Sequence, residues 1–161
     1  MIRRNAIHQY FASALLFLGL SLSAATQAQD APATVLSYDM AQRAMTAALA
    51  EARRNSWNLT IVVADHNGTP VMLHRMDGAS ARTYEIAMAK AKVVTETGLF
   101  SGEYGRLLEA GEIEEIEGGI HYAGGVPVML DGEQIGAVTS SGARGSEDEQ
   151  VSLAGAAAIG D

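Results

Sequence analysis

The chain has 161 residues, 48% of them apolar, with 19 acidic and 11 basic side chains and a formal net charge of −8. That length bounds it to one domain able to bury a core of its own. The acidic balance repels phosphate backbones and anionic lipid and so excludes nucleic acid as a partner, while the lack of cysteine excludes disulfides, thiolate nucleophiles, iron–sulfur clusters and thiolate-ligated haem.

Residues 1–28 read as a secretory signal peptide. Arg3 and Arg4 form a basic n-region, Ala12 to Leu22 is an apolar run too short to span a bilayer, and Thr26-Gln27-Ala28 offers small residues for cleavage. Residues 29–161 are then the working domain, periplasmic or secreted, with no stable membrane insertion after the leader is removed. Without the leader, nineteen acids face nine basic side chains, a charge of about −10 that attracts cations, iron included.

Gln29 to Leu36 reads as a short arm. Ser37 is placed to cap a helix running to about Asn55, whose Met40, Ala41, Ala44, Met45, Ala48, Leu49 and Ala52 fall on one stripe. Methionines and alanines at that spacing make a core face rather than a cofactor box. Leu59 to Asp65 is an Ile- and Val-rich strand, and His66-Asn67-Gly68-Thr69 turns it into a second strand, Pro70 to Met76. Ser80 or Thr83 starts a helix through Tyr84, Ala87, Ala91 and Val94 that ends near Gly98. Ser101 to Ala110 is a short helix with Gly111 at C′. The acidic stretch Glu112 to Glu117 carries no regular pattern. Two further runs meet at Asp131-Gly132, a dipeptide suited to a type I′ turn, and an Ala-rich helix from Asp148 to Ile159 closes the chain. Hairpins rather than βαβ crossovers predict an α/β fold, an antiparallel sheet with helices packed on its faces. Small residues on the helices, Ala44, Ala47, Ala48, Ala87, Ala89 and Ala91, permit close helix approach within or between subunits, and an exported core without disulfides favours a homo-oligomer.

Beyond the leader stand three histidines. His66 sits in a turn and is read as solvated. His74 shares one strand face with Met72 and Met76, a row of haem-ligating types that is read foremost as a half-buried face with one satisfied histidine. His121-Tyr122 is the stronger pair, because it lies between Gly118-Gly119 and Gly124-Gly125, where backbone can approach a flat ligand, and both imidazole and phenolate ligate ferric haem. Glu112, Glu115 and His121 hold ligand types suited to iron, although an acidic run is most often a solvated face. Arg75 or Lys90 suits a carboxylate, whether a haem propionate or an organic acid, with an internal ion pair to Asp77 as the structural alternative. Gly142-Ala143-Arg144-Gly145 precedes a helix, but Glu147, Asp148 and Glu149 repel a phosphate there and no Walker lysine follows. Ser140 and Ser141 read as turn residues, and no nucleophile elbow or zincin motif is present.

The order of several pieces resembles the GlcG/HbpS family of small haem-associated proteins. These are Arg75-Met76-Asp77-Gly78-Ala79, Tyr84-Glu85 and Lys90-Ala91; then Gly124-Gly125-Val126-Pro127, the glycine turn, Gly136-Ala137 through Gly142, and the late acidic residue before an Ala-rich helix. Residues 36 to 160 carry the likeness. It implies a profilin-like sandwich, binding of haem and, for some members, slow haem breakdown. It also implies haem or iron contacts around Gly118 to Tyr122, where some relatives carry threonine at the place of Gly119. That departure shifts the expected contact to His121 or Tyr122. The reading is therefore an exported haem- or iron-binding protein active in redox stress or iron handling. Two alternatives stand beside it. One is an organic-acid enzyme using Arg75 or Lys90 for the carboxylate and His121 as acid or base. The other is a ligand-free oligomeric interaction module.

Overall fold

The computed structural model describes residues 35–159; the expected signal peptide and most of the arm lie outside them. Four strands form one antiparallel sheet in the order β2-β1-β4-β3, with four helices around it. The expectation of an antiparallel sheet with helices on its faces holds.

The first helix, α1 (Tyr38–Arg54), starts where the Ser37 hydroxyl accepts the Met40 amide at 3.2 Å. Asp39 in its first turn and Arg53 and Arg54 in its last complement the helix dipole. Strand β1 (Thr60–Asp65) turns into β2 (Pro70–Arg75), and β4 (Glu133–Ser141) lies on the other side of β1, with Ile61 opposite both His74 and Ser140. The outer strand β3 (Gly125–Leu130) pairs with β4 across Asp131 and Gly132, both at positive φ as a type I′ turn requires.

Alternation sorts the two central strands onto two cores. Ile61, Val63 and Val138 pack with α1 and with α4 (Gly145–Ala157), while Val62 and Ala64 meet Ala87 and Ala91 of α2 (Arg82–Thr97). Both faces are covered, so β1 and β4 are buried nearly throughout, and each buried Val or Ile contributes on the order of 1.5–3 kcal/mol. The short α3 (Ser101–Glu109) packs beside α2 and β3, with Gly111 at positive φ just past its end.

Several expectations are corrected. Helix α2 begins at Arg82, between the expected Ser80 and Thr83, and the Thr83 hydroxyl turns inward to Thr60 Oγ1 at 2.7 Å. Helix α4 begins at Gly145 rather than Asp148, because Glu147 reaches back to the Arg144 amide. Ser140 and Ser141 are buried strand residues, not a turn. His74 is exposed rather than half-buried, because β2 is an edge strand with only Val71, Met72 and Met76 tucked against the core. Among the described residues no helix is long and apolar enough to cross a membrane.

Candidate functional site

The stretch from Ile116 to Gly124 has no helix or strand before β3, yet its backbone is tied down along its length. The Ile116 amide donates to the Tyr104 hydroxyl at 2.8 Å, and Lys92 Nζ donates to the Glu117 carbonyl at 2.6 Å. Further on, the Ser101 hydroxyl donates to the Tyr122 carbonyl at 2.7 Å and accepts the Gly125 amide at 2.9 Å. The Gly124 carbonyl accepts from the Ser140 amide and from the Ser152 hydroxyl, each at 2.8 Å. Gly105 on α3 has no room for a Cβ against the His121 carbonyl, so helix and segment touch backbone to backbone.

Ile116, Ile120 and Ala123 of that segment are half-buried, and its exposed side chains are those of Glu117, His121 and Tyr122. His121 and Tyr122 are both exposed, their rings edge to face with centroids 5.1 Å apart. Beside Gly118 lies a groove of about 450 Å³ on the outer face of α2, bordered by Asn67, Glu85, Met88, Ala89, Lys92 and Glu96. That volume lies in the range of small-molecule sites. Met88 and Ala89 give it an apolar floor, and Lys92 puts a cation at its rim, 3.8 Å from Glu96. Gly119 lies behind the groove, where a Cβ would come within 2.8 Å of Val93 Cγ2. A second hollow of about 420 Å³ lies against Ala123, between Phe100 and Glu149. Neither His121 nor Tyr122 borders either hollow.

The remaining expected site residues are scattered. Lys90 is buried, with Nζ 3.0 Å from Asp148 Oδ2 and 2.8 Å from the Ser140 carbonyl. The internal ion pair therefore exists, but with Asp148 and not Asp77. Asp148, expected at the surface as a repeller of phosphate, is inside; its other oxygen accepts the Ala143 amide at 3.0 Å. Burial pushes the Lys90 ammonium below its ordinary pKa and the Asp148 carboxyl above its own, each opposed by the attraction of the other. Lys90 is thus committed within the protein and presents no charge to a ligand. Arg75 donates to the Ala79 carbonyl at 2.7 Å and makes no ion pair with Asp77 among the described residues. It lies at the end of β2 away from the Asn67-Gly68 turn, so about 17 Å of strand separates it from the groove. It is also on the edge opposite β3, about three strand spacings or 14 Å across the sheet from Gly124.

Glu112 and Glu115 are exposed, and among the described residues no group of three or more His, Asp or Glu side chains converges on a common point. The set Glu112, Glu115 and His121 is therefore not assembled as a metal site. Sequence reasoning missed Lys92, Asp148 and Ser101. Lys92 was within reach of it: Ala87, Ala91 and Val94 define the inner stripe of α2, which takes Lys90 inward and leaves Lys92 outside. Ser101 carried no local signal, since its side-chain partners lie 21 and 24 residues away, and Lys90, the charge paired with Asp148 in the interior, lies 58 residues away.

A family model described as "Haem degrading protein HbpS-like" matches residues 36–157. Protein GlcG of Escherichia coli K12 is 34% identical over 106 residues, 65% of this chain and 79% of GlcG. Among solved structures, HbpS is 32% identical with a TM-score of 0.75, covering 83% of this chain and 96% of HbpS. A complex of PduOC with haem superposes with a TM-score of 0.72 at 22% identity, covering 78% of this chain and 96% of that one. The last likeness is one of fold.

Proposed function

The chain belongs to the HbpS-like family, a haem-related group, and on that premise we propose that it binds haem beside the Gly118–Tyr122 segment. The observation that carries the reading is the groove on α2: a concave surface with an apolar floor of Met88 and Ala89, a cation at Lys92 set between Glu85 and Glu96, and Gly118 at its border. A planar, largely apolar ligand matches that floor, with Lys92 the cation within the groove for one of its carboxylates. Lys92, rather than Lys90 or Arg75, is the residue available to a propionate, because Lys90 is buried and Arg75 lies at the far end of β2. His121 or Tyr122, which do not line the groove but stand three and four residues beyond Gly118, would hold the iron, being exposed and of the right donor types. Bound haem supplies the iron and the redox chemistry; the protein supplies a platform, a counter-charge and a ligand.

The basic n-region and apolar run near the N-terminus support work outside the cytoplasm. Ala44, Ala48, Ala87 and Ala91 are used inside the subunit, so of the small helix residues Ala47 and Ala89 are the ones left to support a homo-oligomer. The organic-acid enzyme loses its support, since Arg75, Lys90 and His121 are not gathered around a common space. Titrating the purified protein with ferric haem tests the reading directly. A saturable Soret shift at micromolar haem is expected, and a spectrum identical to free haem at every ratio overturns it.

A further inference from the structure

The rings of His121 and Tyr122 are solvent-exposed, lie edge to face on each other and border neither of the two hollows, so ring contacts with the rest of the protein do little to set where they point. Their placement comes from the backbone beneath them. That backbone is held by two hydroxyls from separate helices. Ser101, at the first turn of α3, is fully buried and spends both of its bonding capacities on the segment, donating to the Tyr122 carbonyl and accepting the Gly125 amide. Ser152, in α4 and also fully buried, donates to the Gly124 carbonyl and lies 2.9 Å from the Ser140 hydroxyl. Ser140 closes the group, its amide on the same Gly124 carbonyl and its hydroxyl 2.5 Å from the Asp148 carbonyl. Serines inside helices commonly bond back to their own helix. These two bond across to one short stretch of chain instead.

We infer that Ser101 and Ser152 are positioning residues, a hydroxyl clamp on Tyr122–Gly125 that sets the direction in which His121 and Tyr122 are presented to a ligand. The ligand part of this inference rests on the haem-binding reading; the mechanical part does not. Outer-shell groups that orient a metal ligand typically change affinity by about 10- to 100-fold when lost. Deleting a buried hydroxyl also leaves a backbone group without its partner, which frees the local segment first.

The test uses the full chain as wild type, Ser101→Ala, Ser152→Ala and the double variant. Thr97→Val serves as control, because the Thr97 hydroxyl bonds to the Val93 carbonyl and the Leu99 amide, away from this segment. Hydrogen exchange by mass spectrometry reads the peptide spanning residues 120–126, and ferric haem titration reads ligand binding. Expected is exchange at least about tenfold faster in that peptide, with β1 and α1 at wild-type rates, together with haem affinity at least about tenfold weaker and a moved Soret maximum. The control should match wild type in both. Unchanged exchange overturns the clamp, as does an acceleration spread evenly over the chain, which marks the serines as general stabilisers. Faster local exchange with unaltered haem affinity and spectrum overturns the positioning of the ligand. If the wild type itself binds no haem, the haem reading fails, and the clamp stands or falls on exchange alone.

Discussion

Lys90 Nζ lies 3.0 Å from Asp148 Oδ2 in the interior, tying the middle of α2 to the first turn of α4 across the end of β4. Asp148 spends its second oxygen on the Ala143 amide, and Lys90 a second proton on the Ser140 carbonyl. The pair is therefore hydrogen-bonded on both sides, the condition under which a buried ion pair is tolerated.

Removing one partner leaves a buried charge alone. Lys90→Met or Asp148→Leu should each cost about 3–5 kcal/mol in urea unfolding, whereas Lys90→Met with Asp148→Leu should return to near wild-type stability. A double variant as unstable as the worse single one would show that the ionic pairing itself is required.

The same pair predicts a pH signature. Burial raises the Asp148 carboxyl, so the folded protein takes up that proton before the unfolded chain does as pH falls. Burial lowers Lys90, so the folded protein releases that proton before the unfolded chain does as pH rises. Stability of wild type minus that of the double variant is thus least favourable between the two transitions. It improves as pH falls through the raised Asp148 pKa and again as pH climbs through the lowered Lys90 pKa. Unfolding curves across the pH range check the shape; a maximum near neutrality would contradict it.

Gly124 sits where Lys90, Asp148 and the Ser140 carbonyl converge. Its φ is +122°, and a Cβ there would meet Lys90 Nζ and come within 2.6 Å of Asp148 Cβ. Gly124→Ala should cost about 2–3 kcal/mol or more from strain and overpacking together, read as a fall in melting temperature of several degrees. Gly132→Ala is the comparison: its φ is also positive, at +84°, but nothing lies within 4 Å, so only the conformational strain remains and the loss should be visibly smaller.

His121→Ala should move the Soret maximum and weaken haem binding roughly tenfold or more, while His66→Ala should do neither. Lys92→Ala should weaken binding only about two- to fivefold and leave the maximum where it is, since an exposed charge on a propionate is worth about 1 kcal/mol or less. Unaltered spectra and affinity for His121→Ala in a folded protein would transfer the ligand role to Tyr122.

Export and assembly are open to two direct measurements. Intact mass of protein recovered from the periplasm should lack Met1 to Ala28, and retention of that segment would refute a cleaved leader. Light scattering at micromolar concentration should report more than one chain, and a monomer across a dilution series would refute the homo-oligomer.

Much of this protein was determined locally and was readable as such. The Ser37 cap, the helical stripe from Met40 to Ala52 and the Asp131-Gly132 turn are all set by neighbours within a few residues, where spacing and φ preferences act. The acidic balance and the glycine-flanked His121-Tyr122 were likewise visible in the sequence. What only the tertiary structure decided is which charges are available. The α2 stripe already separates Lys90 from Lys92, but the carboxylate 58 residues away that pairs with the one and the groove that the other faces exist only in the fold. Arg75 and His121, expected to share a ligand, are on opposite edges of the sheet because strand order 2-1-4-3 separates them. Ser101 and Ser152 acquire their role only when α3 and α4 converge on one short loop. Those pairings depend on long-range chain closure, which no local pattern of residue types encodes.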